Sequence, residues 1–237
     1  MTEIKDTNIH FHQELDQLER KVLSMVDRAE QMVEMAVEAA TTDDMDLAAR
    51  VIELDGGIDE TYLEVHQGWT ALMARHQPLG SDLRRMTILI QLNVTFERMG
   101  DQCVNIAKIA QFNHGLPPVE RIRDQIREMG DLVRPMIRTA IEAYVRADLD
   151  EARLLPAMDQ PVDRLNANMY KETVAARANP EMLEWATKML MASRALERVG
   201  DQAVDFAEQT AYLITGERAE FDEDGMARAL DDYTDRA

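Results

Sequence analysis

The sequence predicts an all-α protein made of two tandem three-helix bundles related by internal duplication. Three observations predict it. The composition is poor in aromatics, at 5%, and in Gly, at 10 residues, and rich in helix formers such as Ala, Leu, Met, Glu and Arg. Those side chains lose little rotamer freedom on a helix. Apolar residues recur at steps of three and four through each long segment, the period of a half-buried helix. Finally, an eight-residue run returns 100 residues downstream with six positions identical, within a chain of 237 residues.

Six helices follow in order. The first runs from about Thr7 to Thr41 on the stripe Leu15, Leu18, Val22, Met25, Ala29, Met32 and Ala36. Thr42-Asp43-Asp44 is a turn and cap signal. The second runs from about Met45 to Ala74 on Leu47, Val51, Leu54, Ile58, Tyr62 and Val65, and Pro78 and Gly80 break it. The third continues to about Asn113 on Leu89, Leu92, Phe96, Met99, Cys103, Ile106 and Ala110. Gly115 and the pair Pro117-Pro118 form the best domain boundary. The fourth spans about Val119 to Arg146, with a kink expected at Pro135. The fifth covers about Leu149 to Ala176, and the sixth opens at Asn179-Pro180 and stops at Gly216.

The repeat sets the domain plan. Glu97-Arg98-Met99-Gly100-Asp101-Gln102-Cys103-Val104 returns as Glu197-Arg198-Val199-Gly200-Asp201-Gln202-Ala203-Val204. Asp55-Gly56-Gly57-Ile58-Asp59 is echoed by Asp159-Gln160-Pro161-Val162-Asp163, in the same order within each half. A period this long exceeds that of solenoid repeats and indicates a duplicated domain. The expected domains are residues 7–113, residues 118–216 and an acidic tail at 217–237. The tail holds 8 acidic and 3 basic residues and is expected to be disordered or one short helix.

Charge and cysteine usage narrow the function classes. A formal charge of −19 repels nucleic-acid phosphates and anionic lipid, which disfavours direct binding to either. The single cysteine, Cys103, forbids an intrachain disulfide, occupies a core position and points to a reducing compartment. With no signal-peptide pattern and no apolar run long enough to span a bilayer, a cytoplasmic location is expected, with membrane contact only through partners. The five His form no metal signature, and His10 and His12 are expected to be solvated. Neither a Glu-x-x-His ferritin-type ligand pair nor a Gly-rich phosphate loop occurs. Trp69 and Trp185 sit where they would anchor packing or a partner.

Carboxylates carry the chemistry. Glu97 and Asp101 are four residues apart and share a helix face, as do Asp55 and Asp59. Antiparallel neighbours would bring the two pairs together, and Asp159, Asp163, Glu197 and Asp201 repeat the set. Oxygen-rich sets suit hard cations such as Mg, Mn, Ca or oxidised Fe. The helical step places these residues off the core stripes, so the sites are expected on the bundle surface. Gly100 and Gly200 each cost about 1 kcal/mol relative to Ala, which marks a close approach to the backbone.

The duplicated Glu-Arg-x-Gly-Asp motif, with Val104-Asn105-Ile106-Ala107 and Val204-Asp205-Phe206-Ala207, resembles the PhoU family. So do the Asp55/Asp59 and Asp159/Asp163 pairs and Gln77-Pro78-x-x-x-Asp82-Leu83-Arg84. The resemblance covers about residues 7–216. It implies carboxylate-bound metal clusters, often a homodimer, and a negative regulator of phosphate uptake acting with the phosphate ABC transporter ATPase and a phosphate-sensing histidine kinase. It implies Asp55, Asp59, Glu97, Asp101, Asp159, Asp163, Glu197, Asp201 and Asp205 as ligands of a divalent or trivalent ion, Mg, Mn, Fe or Zn. Gln102 and Gln202 stand where the family commonly has His, and Asp205 where it more usually has Asn, which makes the second site more acidic. The expected activity is regulatory and not enzymatic. The alternatives are a metal-dependent phosphohydrolase, which would lack a recognisable base, nucleophile or phosphate-binding set beyond Arg98 and Arg198, and a metal-free helical scaffold.

Overall fold

A computed structural model describes residues 2–221 and 227–229. The chain divides into two compact units, Met1–Gln111 and Phe112–Ala237. The first is built from α1 (Thr2–Thr42), α2 (Met45–His76) and α3 (Ser81–Asn113). The second has α4 (Glu120–Arg146), the single-turn α5 (Leu149–Ala152), α6 (Leu155–Ala175), a 3-10 turn at Ala176–Ala178 and α7 (Pro180–Thr215). A hairpin of β1 (Ala219–Phe221) and β2 (Ala227–Ala229) follows. Among the described residues, no helix is long and apolar enough to cross a membrane.

Local chemistry sets the helix ends. Asp44 caps α2 by accepting the Asp46 and Leu47 N–H groups, and the helix closes at Gln77 in the left-handed region (φ 45°) just before Pro78. Asn179 caps α7 through Glu181 and Met182, Pro180 fills the first helical position, and Gly216 at φ 80° ends the helix. Asn179→Ala should therefore lower stability by about 1 kcal/mol, read as a lower melting temperature. An unchanged melt would mean that packing alone sets the start of α7.

Three features depart from the sequence expectations. The fifth predicted helix is broken at Arg153-Leu154 into α5 and α6. Asp148 caps the short piece, and Pro156 sits in the first turn of α6, where its missing N–H costs nothing. Pro135, by contrast, lies inside α4 without ending it. The tail, expected to be disordered or helical, instead pairs β1 with β2 in antiparallel register, Ala219 opposite Ala229 and Phe221 opposite Ala227. Glu208 Oε1 accepts the Phe221 N–H at 2.7 Å, which anchors the incoming strand to α7. The remainder of the tail, 222–226 and 230–237, lies outside the described residues. His12 is not merely solvated, since its Nε2 meets Asp82 Oδ1 at 3.1 Å.

The core follows the stripes. Leu15, Met25, Met32, Ile58, Leu92, Phe96, Met99 and Cys103 are buried in the first unit. Ile126, Val133, Met136, Val162, Leu196, Val199 and Phe206 are buried in the second. Trp69 Nε1 donates to the Met86 carbonyl at 2.6 Å, tying α2 to α3. Trp185 is buried in α7. Each unit also ties its two motif helices by a polar contact one turn from the motif. Asn93 Nδ2 donates to the Tyr62 carbonyl, and Ser193 Oγ meets Asn166 Oδ1, both at 2.9 Å. Such buried links hold helix register, because sliding would leave their polar atoms unpaired.

Candidate metal centres

In each unit the motif glycine faces a carboxylate of the neighbouring helix. A Cβ at Gly100 would lie 2.6 Å from Asp55 Oδ1, and one at Gly200 would lie 2.5 Å from Asp159 Oδ1. No side chain larger than hydrogen leaves room for those oxygens. The group that approaches each helix backbone is thus the protein's own carboxylate, drawn in from α2 or α6. Gly57 has a separate role: Arg28 Nη1 lies against it and donates to its carbonyl at 2.6 Å.

Most of the candidate carboxylates lie at the surface as helix geometry predicts, and Asp159 is the exception. Asp59, Asp101, Asp163, Asp201 and Asp205 are exposed, but Asp55, Glu97 and Glu197 are half-buried. Asp159 retains only 9% exposure. The carboxylates line the seam between two helices. Stepping 100° per residue around an isolated helix does not register how a glycine lets the next helix close over the flank.

Among the described residues, the structure brings three of the predicted carboxylates to within ligand distance of one another, all in the second unit. Oxygens of Asp159, Asp163 and Asp201 lie within 4.8 Å of one another. Burial, and then the charges of Asp163, Asp201 and Glu197, push the Asp159 carboxyl up to about 7. Asp201 is pushed up to about 6 by burial and by Glu197, Asp163 and Asp205. In the first unit Asp55 rises to about 6 through burial and the charges of Asp59, Asp101 and Glu97, with Lys108 opposing. Glu97 is raised by burial, Asp101 and Asp59, against Arg98.

A hard cation fits this donor set. The Asp159 Oδ1 is buried without a hydrogen-bond partner, a state that costs free energy unless something ligates it. A cation there would relieve the repulsion that raises these carboxyls. Every candidate donor is a carboxylate oxygen, the preference of Mg, Mn, Ca and oxidised Fe. Cys103 is fully buried, and burial pushes its thiol far up, so it offers no thiolate. Two residues near the sites were not singled out from sequence: Lys108, close to Asp55, and Glu208, which bears the charges of Asp205 and Glu220. Their equivalence in the repeat was the available signal.

Two helical bundles, each with a carboxylate closing on a motif glycine, define a duplicated all-α protein. The PhoU domain family model matches residues 22–110 and again 126–210, one match per repeat. The chain belongs to the PhoU family. It is 30% identical over 218 residues to the phosphate-specific transport system accessory protein PhoU homolog of Clostridium acetobutylicum, covering 90% of this chain and 98% of that protein. It is 31% identical to the Pseudomonas putida homolog of the same name, over 87% of this chain and 81% of the relative. The crystal structure of PhoU from Pseudomonas aeruginosa superposes with a TM-score of 0.82 at 30% identity, covering 87% of this chain and 99% of that one.

Proposed function

We propose that the protein is a non-enzymatic, metal-binding regulator of phosphate uptake and of the phosphate-starvation response. It would act at the cytoplasmic face as an adaptor between the ATPase subunit of a phosphate ABC transporter and a sensor histidine kinase. The observation that carries this reading is the double family match together with relatives named as phosphate-specific transport accessory proteins over nearly their whole length. The carboxylate centres support the metal half of the proposal. In it, Asp55, Asp59, Glu97 and Asp101 hold one centre, and Asp159, Asp163, Glu197, Asp201 and Asp205 the other. A bound cation would supply fixed positive charge in the seam and cross-link the two motif helices of each bundle. The side chains nearest the centres are carboxylates and their counter-charges, an arrangement suited to holding an ion more than to activating a nucleophile.

Deleting the gene in its host should derepress phosphate-starvation genes, and affinity capture from those cells should recover the transporter ATPase or the kinase. Normal phosphate control in the deletion strain would sink the regulatory reading. Hydrolysis of phosphate esters by the manganese-loaded protein, lost on chelation, would favour a phosphohydrolase instead.

A further inference from the structure

The four core carboxylates and the motif glycine are the same in both halves, but the helix flank that continues from them is not. On α3 the residues Glu97, Asp101, Asn105 and Lys108 follow at steps of four, four and three, so they form one stripe. On α7 the equivalent stripe is Glu197, Asp201, Asp205 and Glu208. An amide becomes a carboxylate and an ammonium becomes a carboxylate. The second stripe is therefore more negative by three charges.

The geometry differs in the same direction. Asp159 is nine-tenths buried, and its Oδ1 has no hydrogen-bond partner, whereas its counterpart Asp55 is half-buried. The surrounding charges differ likewise: Lys108 weakly opposes the carboxylates acting on Asp55, while those acting on Asp159 are Asp163, Asp201 and Glu197, all negative. Three second-unit carboxylates already converge within 4.8 Å. Glu208 has no cationic partner in its contact to the tail, where it accepts the Phe221 N–H at 2.7 Å.

We infer that the two centres are inequivalent: the second bundle fills with a hard cation first, the first bundle holds the exchangeable ion, and positions 105/205 and 108/208 set the difference. The inference rests on the cation reading of both centres. Its basis is Coulombic. One charge added close to a divalent ion, at the high effective dielectric of an open seam, changes affinity on the order of tenfold. The ammonium of Lys108 repels an incoming cation, and Asp205 attracts one. The same side chains give the tight centre a steeper salt dependence, since exposed charges are screened.

The test is a Mn2+ titration of the chelator-stripped full-length protein, by calorimetry at fixed ionic strength. Two phases separated by about tenfold or more are expected. The double variant E197Q/D201N should remove the tight phase, and E97Q/D101N the weak one. The flank swap N105D/K108E, at exposed α3 positions, should tighten the first-bundle phase by about tenfold or more, and D205N/E208Q should weaken the second. Glu208→Gln keeps an acceptor for Phe221, and a melt of each variant checks that the fold is retained. A single phase shared equally by both bundles, the reverse order, or swaps without effect would overturn the inequivalence and leave the cation reading intact. Absence of Mn2+ binding in either bundle would overturn both.

Discussion

Gly200→Ala should abolish the cation response of the second bundle while leaving the helix intact. Ala is the better helix former by about 1 kcal/mol, so the backbone itself gains. The new methyl would stand 2.5 Å from Asp159 Oδ1, well inside van der Waals contact, so the carboxylate must swing out of the seam. Its distance to the oxygens of Asp163 and Asp201 then grows beyond the 4.8 Å cluster. A ligand that binds only the folded state stabilises it by about 2.7 kcal/mol at a hundredfold excess over Kd, and this increment is what the variant should lose. Gly56→Ala is the control. It lies on α2 next to Asp55, and a Cβ there would meet nothing within 4 Å. It should gain up to about 1 kcal/mol and keep the full response to Mn2+. Undiminished calorimetric binding by Gly200→Ala would show that the glycine serves some purpose other than admitting Asp159.

Helix number and order were largely legible because a helix is a local object. The stripe through Phe96, Met99, Cys103 and Ile106 needs no knowledge of its partner to be read as buried, and all four are buried. Caps were equally readable at Asp44, Asn179 and Gly216. Tertiary choices were not. The break at Arg153-Leu154 follows from the Asp148 cap and the fit of Pro156 into a new first turn, and continuous periodicity around it hid the interruption. In the tail, Glu208 receives the Phe221 N–H across 13 residues beside the strand pairing, a contact that no spacing rule announces. At the candidate site the expected surface placement fails at Asp159. Two motif glycines flagged a close approach to the backbone, but only the packed neighbour shows that the approaching group is a carboxylate and that Asp159 is buried by it.

Asp159→Asn should make the metal-free protein more stable at pH 8 and remove its main pH dependence. In the folded chain the Asp159 carboxyl titrates near 7, chiefly because burial penalises its charge and then because Asp163, Asp201 and Glu197 repel it; its ordinary value is 3.8. The native state thus holds this proton more tightly than the unfolded chain does. Stability falls wherever the native state binds more protons, so the metal-free protein should lose stability as the pH rises from about 4 to about 7. Asp55 and Asp201, each raised to about 6, act in the same sense over the lower part of that window. The penalty for Asp159 is about 2 kcal/mol, after allowing for the water that screens the open side of the seam. Asparagine keeps the shape and never ionises, so the variant should escape that cost above pH 7 and match the parent below pH 4. Cation binding reverses the slope, because metal and proton compete for the same oxygens and affinity rises with pH. Denaturant melts of the stripped parent and variant at pH 4.5 and pH 8, repeated with Mn2+, separate these effects. A parent whose stripped form is as stable at pH 8 as at pH 4.5 would show that Asp159 bears no repulsive charge in the folded state, and the case for a cation in that seam would lose its physical basis.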